Sequence, residues 1–278
     1  MRHLHPTILY ACALLALAAS CSHKPDTPRP YGGLAFDTLR TISDTPLAPA
    51  DEASPACHLE VELICPARTD SSLLARNVRR EVLAFSLGEA YADCPADEVV
   101  GRYAKDYADE YRRDLLSLYE ENKARSEAEY DAEAWFAYTQ ELRAKPLCDN
   151  PRCLVYRVDK HEYRGGAHGM YSIHYLNFDA TDGRRLALND VFRPDTEAAL
   201  TERLLQRLME KSGCRTLDEL EEQGFLMGTD LFVTPNFRLG PDSIYFLYNV
   251  YEIAPYSAGA IELALARTAV ADLTNDGE

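Results

Sequence analysis

The stretch EYRGGAHGMYSIHYLNFDATDGRRLALNDVF, residues 162–192, decides how the chain is read. It sets three glycines and one histidine between two runs that read as strand. Gly165 and Gly166 can take φ > 0 without a Cβ penalty, and Gly169 admits a second bend or a close backbone neighbour. The simplest reading is a tight connection between a strand ending at Arg164 and one starting at Tyr171. His168 then packs at the corner, hydrogen-bonded to backbone or to a carboxylate. The stretch EIAPYSAG, 252–259, reads as a second irregular crossing, with Pro255 breaking the ladder and Gly259 closing the turn. If both loops lie on one side of the sheet, His168, Tyr251, Glu252 and Tyr256 share a ligand-binding surface.

Working outward, CHLEVELICPA (57–67) alternates as a half-buried strand, with Leu59, Val61, Leu63 and Cys65 on one face. A helix follows, capped by Asp70 or Ser71, with Leu74, Val78 and Val82 at helical spacing. A longer helix begins near Pro95. Its stripe of Val100, Tyr103, Tyr107, Tyr111, Leu115 and Leu118 reads as a core face whose hydroxyls reach the rim, rather than a sugar-binding face. Two strands flank CDNPRC, 148–153, a turn that would bring Cys148 and Cys153 together as a disulfide. After 192 come a helix with Leu200, Leu204 and Leu208 inward and Gly213 as its stop, and a short helix at 217–223. Three strands follow, broken at Gly240-Pro241-Asp242 and around Pro255. Strand runs packed with separate helices predict an α+β fold with a mainly antiparallel sheet, over 151–275, preceded by a smaller α/β part over 56–150.

The N-terminus supplies the compartment. A basic start, an apolar run over 7–19 and small residues before Cys21 make a secretory signal over 1–20. The run is too short for a spanning helix. Residues 21–55, rich in Pro, Ser, Thr and Asp, predict a flexible tether, with a short strand allowed near 34–39. A cysteine directly after the small residues resembles the bacterial lipobox, in which that cysteine carries lipid. This implies a lipoprotein held at a membrane through Cys21, in the bacterial cell envelope, periplasm-facing or surface-exposed. Cleavage without lipid is the other reading. Of the chain's eight cysteines, Cys57, Cys65, Cys94 and Cys214 would then find disulfide partners in an oxidising compartment. No CxxC pair suggests zinc, and neither metal nor cofactor is expected.

The formal charge of −16 repels nucleic acid and favours encounter with a cationic partner. A hydrolase is the sharper alternative, with His168 and His174 beside Glu252, Asp179 or Asp190. Those histidines are six residues apart, about 20 Å along a straight strand. The chain has no Gly-x-Ser-x-Gly and no His-Glu-x-x-His.

Taken together, YRGGAHGMYSIHYLNFDATDGRRLALNDVF and NFRLGPDSIYFLYNVYEIAPYSAGAIELAL resemble the C-terminal extracytoplasmic domain of the anti-sigma factor RsiV, a domain of unknown function also found in a peptidoglycan deacetylase. The resemblance covers about 154–273. It implies a non-catalytic module that binds lysozyme or a peptidoglycan component. The sigma-binding segment and the deacetylase metal domain have no counterpart in this chain. A structural envelope lipoprotein is the remaining alternative.

Overall fold

A computed structural model describes residues 33–125, 135–147 and 153–275. The fold is α+β, built on a six-stranded mixed sheet and a three-stranded antiparallel one. The large sheet runs in chain order: β1 (Phe36–Pro46), β2 (Ala56–Pro66), β3 (Tyr138–Leu147), β4 (Cys153–Arg164), β5 (Met170–Asp179) and β6 (Arg185–Leu186). All its pairings are antiparallel except β2 with β3. That parallel step needs a crossover, which α1 (Leu73–Leu87) and α2 (Val99–Arg125) provide. Beyond β6 lie α3 (Leu188–Val191), α4 (Glu197–Ser212), α5 (Leu217–Glu222), the small sheet β7 (Phe237–Leu239), β8 (Ser243–Tyr248) and β9 (Ile261–Ala266), and α6 (Arg267–Val270). No described helix is long and apolar enough to cross a membrane.

The alternation along each strand divides the large sheet between two cores. Leu59, Val61 and Leu63 of β2, Tyr156 and Val158 of β4 and Phe178 of β5 face α1 and α2. Cys153 and Val155 of β4 point the other way, into a second core with α4, β7, β8 and β9. Leu200, Leu204 and Leu208 are the buried stripe of α4, which Gly213 stops at φ 74°. Each of these leucines contributes roughly 2 kcal/mol by leaving water. The boundary expected at residue 150 falls between β3 and β4, which pair along their length. The two halves therefore share one sheet.

On α2 the tyrosines are core, as their spacing predicts. Tyr107, Tyr111 and Tyr119 are buried. The hydroxyl of Tyr111 donates to Phe136 O at 2.6 Å and that of Tyr103 to Gln140 Oε1 at 2.7 Å. The stripe ends at Tyr119 rather than at the expected Leu118, which is half exposed. From Tyr111, steps of four reach Leu115 and Tyr119, and Leu118 lies one residue off that row.

Two expectations need correction. Residues 36–46 are not tether: they pair with all of β2, Phe36 opposite Pro66 through Pro46 opposite Ala56. Their polar composition suits an edge strand, which needs only one partner and one apolar face. Residues 1–32, including Cys21, lie outside the described part, as does Cys148 of the Cys148–Cys153 pair. Nor do Cys57, Cys65, Cys94 and Cys214 pair: all four are free thiols. Cys57 and Cys65 point from one strand into the first core, while Cys214 is buried in the second. Burial pushes the Cys65 thiol up to about 12.

Candidate functional site

The predicted corner forms as a hairpin between β4 and β5. Gly165 and Gly166 turn it at φ 79° and 97°. Gly169 serves by closeness instead: a Cβ there would lie 2.8 Å from His161 Nε2 and 3.0 Å from Glu162 O. Opposite this hairpin is the loop between β8 and β9. Pro255 leads into a single turn, Tyr256–Ala258, which Gly259 ends at φ 72°.

Three asparagines hold this second loop and the small sheet against β5. Asn249 accepts from Ile173 N at 2.8 Å and donates to Ile173 O at 3.1 Å. Asn236 accepts from Tyr175 N at 2.9 Å and also donates to Ile173 O. Asn177 donates to Phe237 O at 2.7 Å and accepts from Leu239 N at 2.9 Å. An asparagine amide carries the donor and acceptor of a peptide group. These side chains thus replace strand ladder bonds across the junction of the two sheets.

The clamp brings the predicted residues together. His168 stacks on Tyr256 with ring centres 4.5 Å apart. Tyr251 and Tyr171 approach the same tyrosine at 5.6 and 5.8 Å. The Tyr256 hydroxyl donates to Gly169 O at 3.1 Å, and His168 Nδ1 lies 3.0 Å from the same oxygen. Tyr251 is 56% exposed and sits at φ 69°. That left-handed backbone is strained for a large residue. Glu252 does not join the rings. Its carboxylate turns inward and accepts from Asn249 N at 2.9 Å, and burial raises its pKa. It lines a hollow of ≈ 200 Å³ beside the shelf, with Tyr251, Met227, Thr229 and Pro255.

The hydrolase constellation is not assembled. His174 is on the opposite face of β5 from Tyr171, packed edge-on to Phe85 of α1 at 5.1 Å. Burial first, then Lys160 and Arg185, lower its pKa to about 4. Asp179 accepts from Thr181 N, and Asp190 from Ala187 N and Arg184, so both carboxylates serve local turns. Sequence reading missed Tyr171, Met227 and the asparagines. The signal for the last was Asn177, a polar residue between Leu176 and Phe178 where the strand is buried on both faces.

A DUF3298 family protein from Bacteroides fragilis NCTC 9343 has this fold at a TM-score of 0.83 and 32% identity, over 89% of this chain and 96% of that one. The chain belongs to the DUF3298 family. The family's description, "Protein of unknown function (DUF3298)", matches residues 189–267. That span holds Tyr251, Glu252 and Tyr256 but begins after the glycine hairpin that carries His168. A second DUF3298 structure, from Pseudomonas aeruginosa PAO1, shares the fold at TM-score 0.60 and 17% identity, over 87% of this chain and 95% of that chain. No curated protein matches the chain.

Proposed function

We propose that this DUF3298 protein is a lipid-anchored binding module of the bacterial cell envelope. It would hold a cationic protein such as lysozyme, or a cell-wall ligand, without transforming it. The observation that carries the reading is the aromatic shelf: His168, Tyr251 and Tyr256 lie ring to ring at the surface beside an open hollow. A shelf of this kind accepts an arginine guanidinium or a flat apolar ring face-on. The formal charge of −16 favours a cationic guest. Acid–base chemistry gains no support, because His168 stacks on Tyr256 while His174 packs against Phe85 of α1, and the carboxylates are engaged in turns. Attachment through Cys21 and residence on the periplasmic or outer side are supported by the leader pattern and by the RsiV-like resemblance.

The test is titration with lysozyme at low salt and at about 0.15 M salt. Binding should persist at the higher salt and weaken about tenfold or more in Tyr251→Asn, a residue that tolerates the left-handed backbone. Affinity that vanishes with salt and is unchanged by Tyr251→Asn and Tyr256→Ala would be charge attraction alone, and the reading would fail.

A further inference from the structure

The large sheet has an open side at β1. Among the described residues this strand pairs with β2 alone and ends the sheet. Which backbone groups it leaves free follows from the ladder's phase. Leu47 N donates to Pro55 O and Ala67 N to Ala35 O, so the odd residues bond to β2. The even residues therefore aim their N–H and C=O groups outward. One end of that outward row is closed, where Arg112 of α2 donates to Pro46 O at 3.1 Å. Before it come Thr38, Arg40, Ile42 and Asp44, all exposed, with Ile42 at 51%. An exposed apolar residue at the centre of an unpaired edge is what proteins ordinarily avoid.

We infer that this edge pairs with the same edge of a second copy, antiparallel about Ile42, joining two sheets into one. The register follows from side-chain chemistry. A two-fold axis at Ile42 sets Ile42 against Ile42 and Arg40 against Asp44 twice over, with about six main-chain hydrogen bonds exchanged. An axis at Arg40 or Asp44 sets like charges face to face, and one at Thr41 sets Arg40 against Ile42. Of these, the Ile42 axis alone sets neither like charges nor a charge and Ile42 face to face. The contact is smaller than the roughly 800 Å² per partner of a standard interface, so the dimer is expected to be weak, with Kd in the micromolar range.

The test uses the full chain. Sedimentation at about 100 μM should give a dimer mass. Ile42→Cys should form a disulfide-linked dimer on mild oxidation, because bonded antiparallel partners have Cα atoms about 5.5 Å apart. Arg40→Cys, offset by four residues from its copy, should not exceed the unsubstituted protein. Ile42→Pro removes an outward N–H and no bond to β2, so it should abolish the dimer and leave the fold intact. A monomer overturns the inference, whether residues 1–32 cover the edge or nothing does. A dimer indifferent to Ile42→Pro, or crosslinked through Arg40→Cys but not Ile42→Cys, also overturns it.

Discussion

Acid should weaken this protein through one imidazole. His174 sits between β5 and α1, edge-on to the Phe85 ring, with Nε2 3.0 Å from Ser172 Oγ. Lys160 and Arg185 are its charged neighbours, and both lie over the same Phe85 ring, at 4.6 and 5.2 Å. Burial and these two cations hold the ring neutral down to about 4, against 6.5 in the unfolded chain. Above pH 6.5 neither state binds the proton, and the histidine is silent. As pH falls from 6.5 toward 4 the unfolded chain protonates first, and stability drains away. The full difference is worth roughly 3 kcal/mol, and solvent at the partly buried ring trims it to about 2 kcal/mol. Urea unfolding at steps between pH 7.5 and 4 measures it. The His174→Gln protein should lose about 2 kcal/mol less than the unsubstituted one across that window. Equal losses in both, or a His174 ring seen by NMR to titrate above pH 6, would refute the reasoning.

Two further changes probe the junction and the hairpin. Asn177→Leu strands Phe237 O and Leu239 N in a buried seam, and should cost about 2–4 kcal/mol in denaturant unfolding. Gly169→Ala presses a methyl to 2.8 Å from His161 Nε2 and 3.0 Å from Glu162 O, and should destabilise by about 1–3 kcal/mol. Gly166→Ala meets open space and only the backbone strain of φ 97°, so a melting series should find it the milder, at about 1 kcal/mol.

The parts of this fold that could be read from sequence are those whose pattern repeats. CHLEVELICP alternates over its whole length, and β2 shows the same alternation in burial. The leucines of α4 recur every fourth residue and face inward. Strand β1 was harder because an edge strand buries one face partially; Arg40, Ile42 and Asp44 alternate with residues that are only half covered. The parallel step from β2 to β3 leaves no local mark, since it depends on two helices packing across the sheet. At the site, glycines and proline announced two irregular loops, but no spacing rule places residue 168 beside residue 256. Their meeting depends on β5 receiving hydrogen bonds from Asn236 and Asn249, more than sixty positions away.

That dependence explains why the shelf lies where it does. Tyr171 and Ile173 are on the face of β5 that the first core does not use, and Ile173 is the residue to which both Asn236 and Asn249 bond. Asn249 also starts the loop that carries Tyr251 and Tyr256. One side chain therefore fixes the loop to the strand two residues beyond Tyr171. The Glu252 carboxylate then caps Asn249 N from within the same loop. The strained backbone of Tyr251 is held at both ends of its turn, by Asn249 and by the bond from its own N–H to Ala254 O. A tyrosine kept at φ 69° with its ring turned outward is an arrangement that packing alone would relax. Its retention over a rigid amide clamp is what sets this surface apart from the charged sheet face around Arg40, Glu60 and Arg143, where ion pairs are exposed and contribute little.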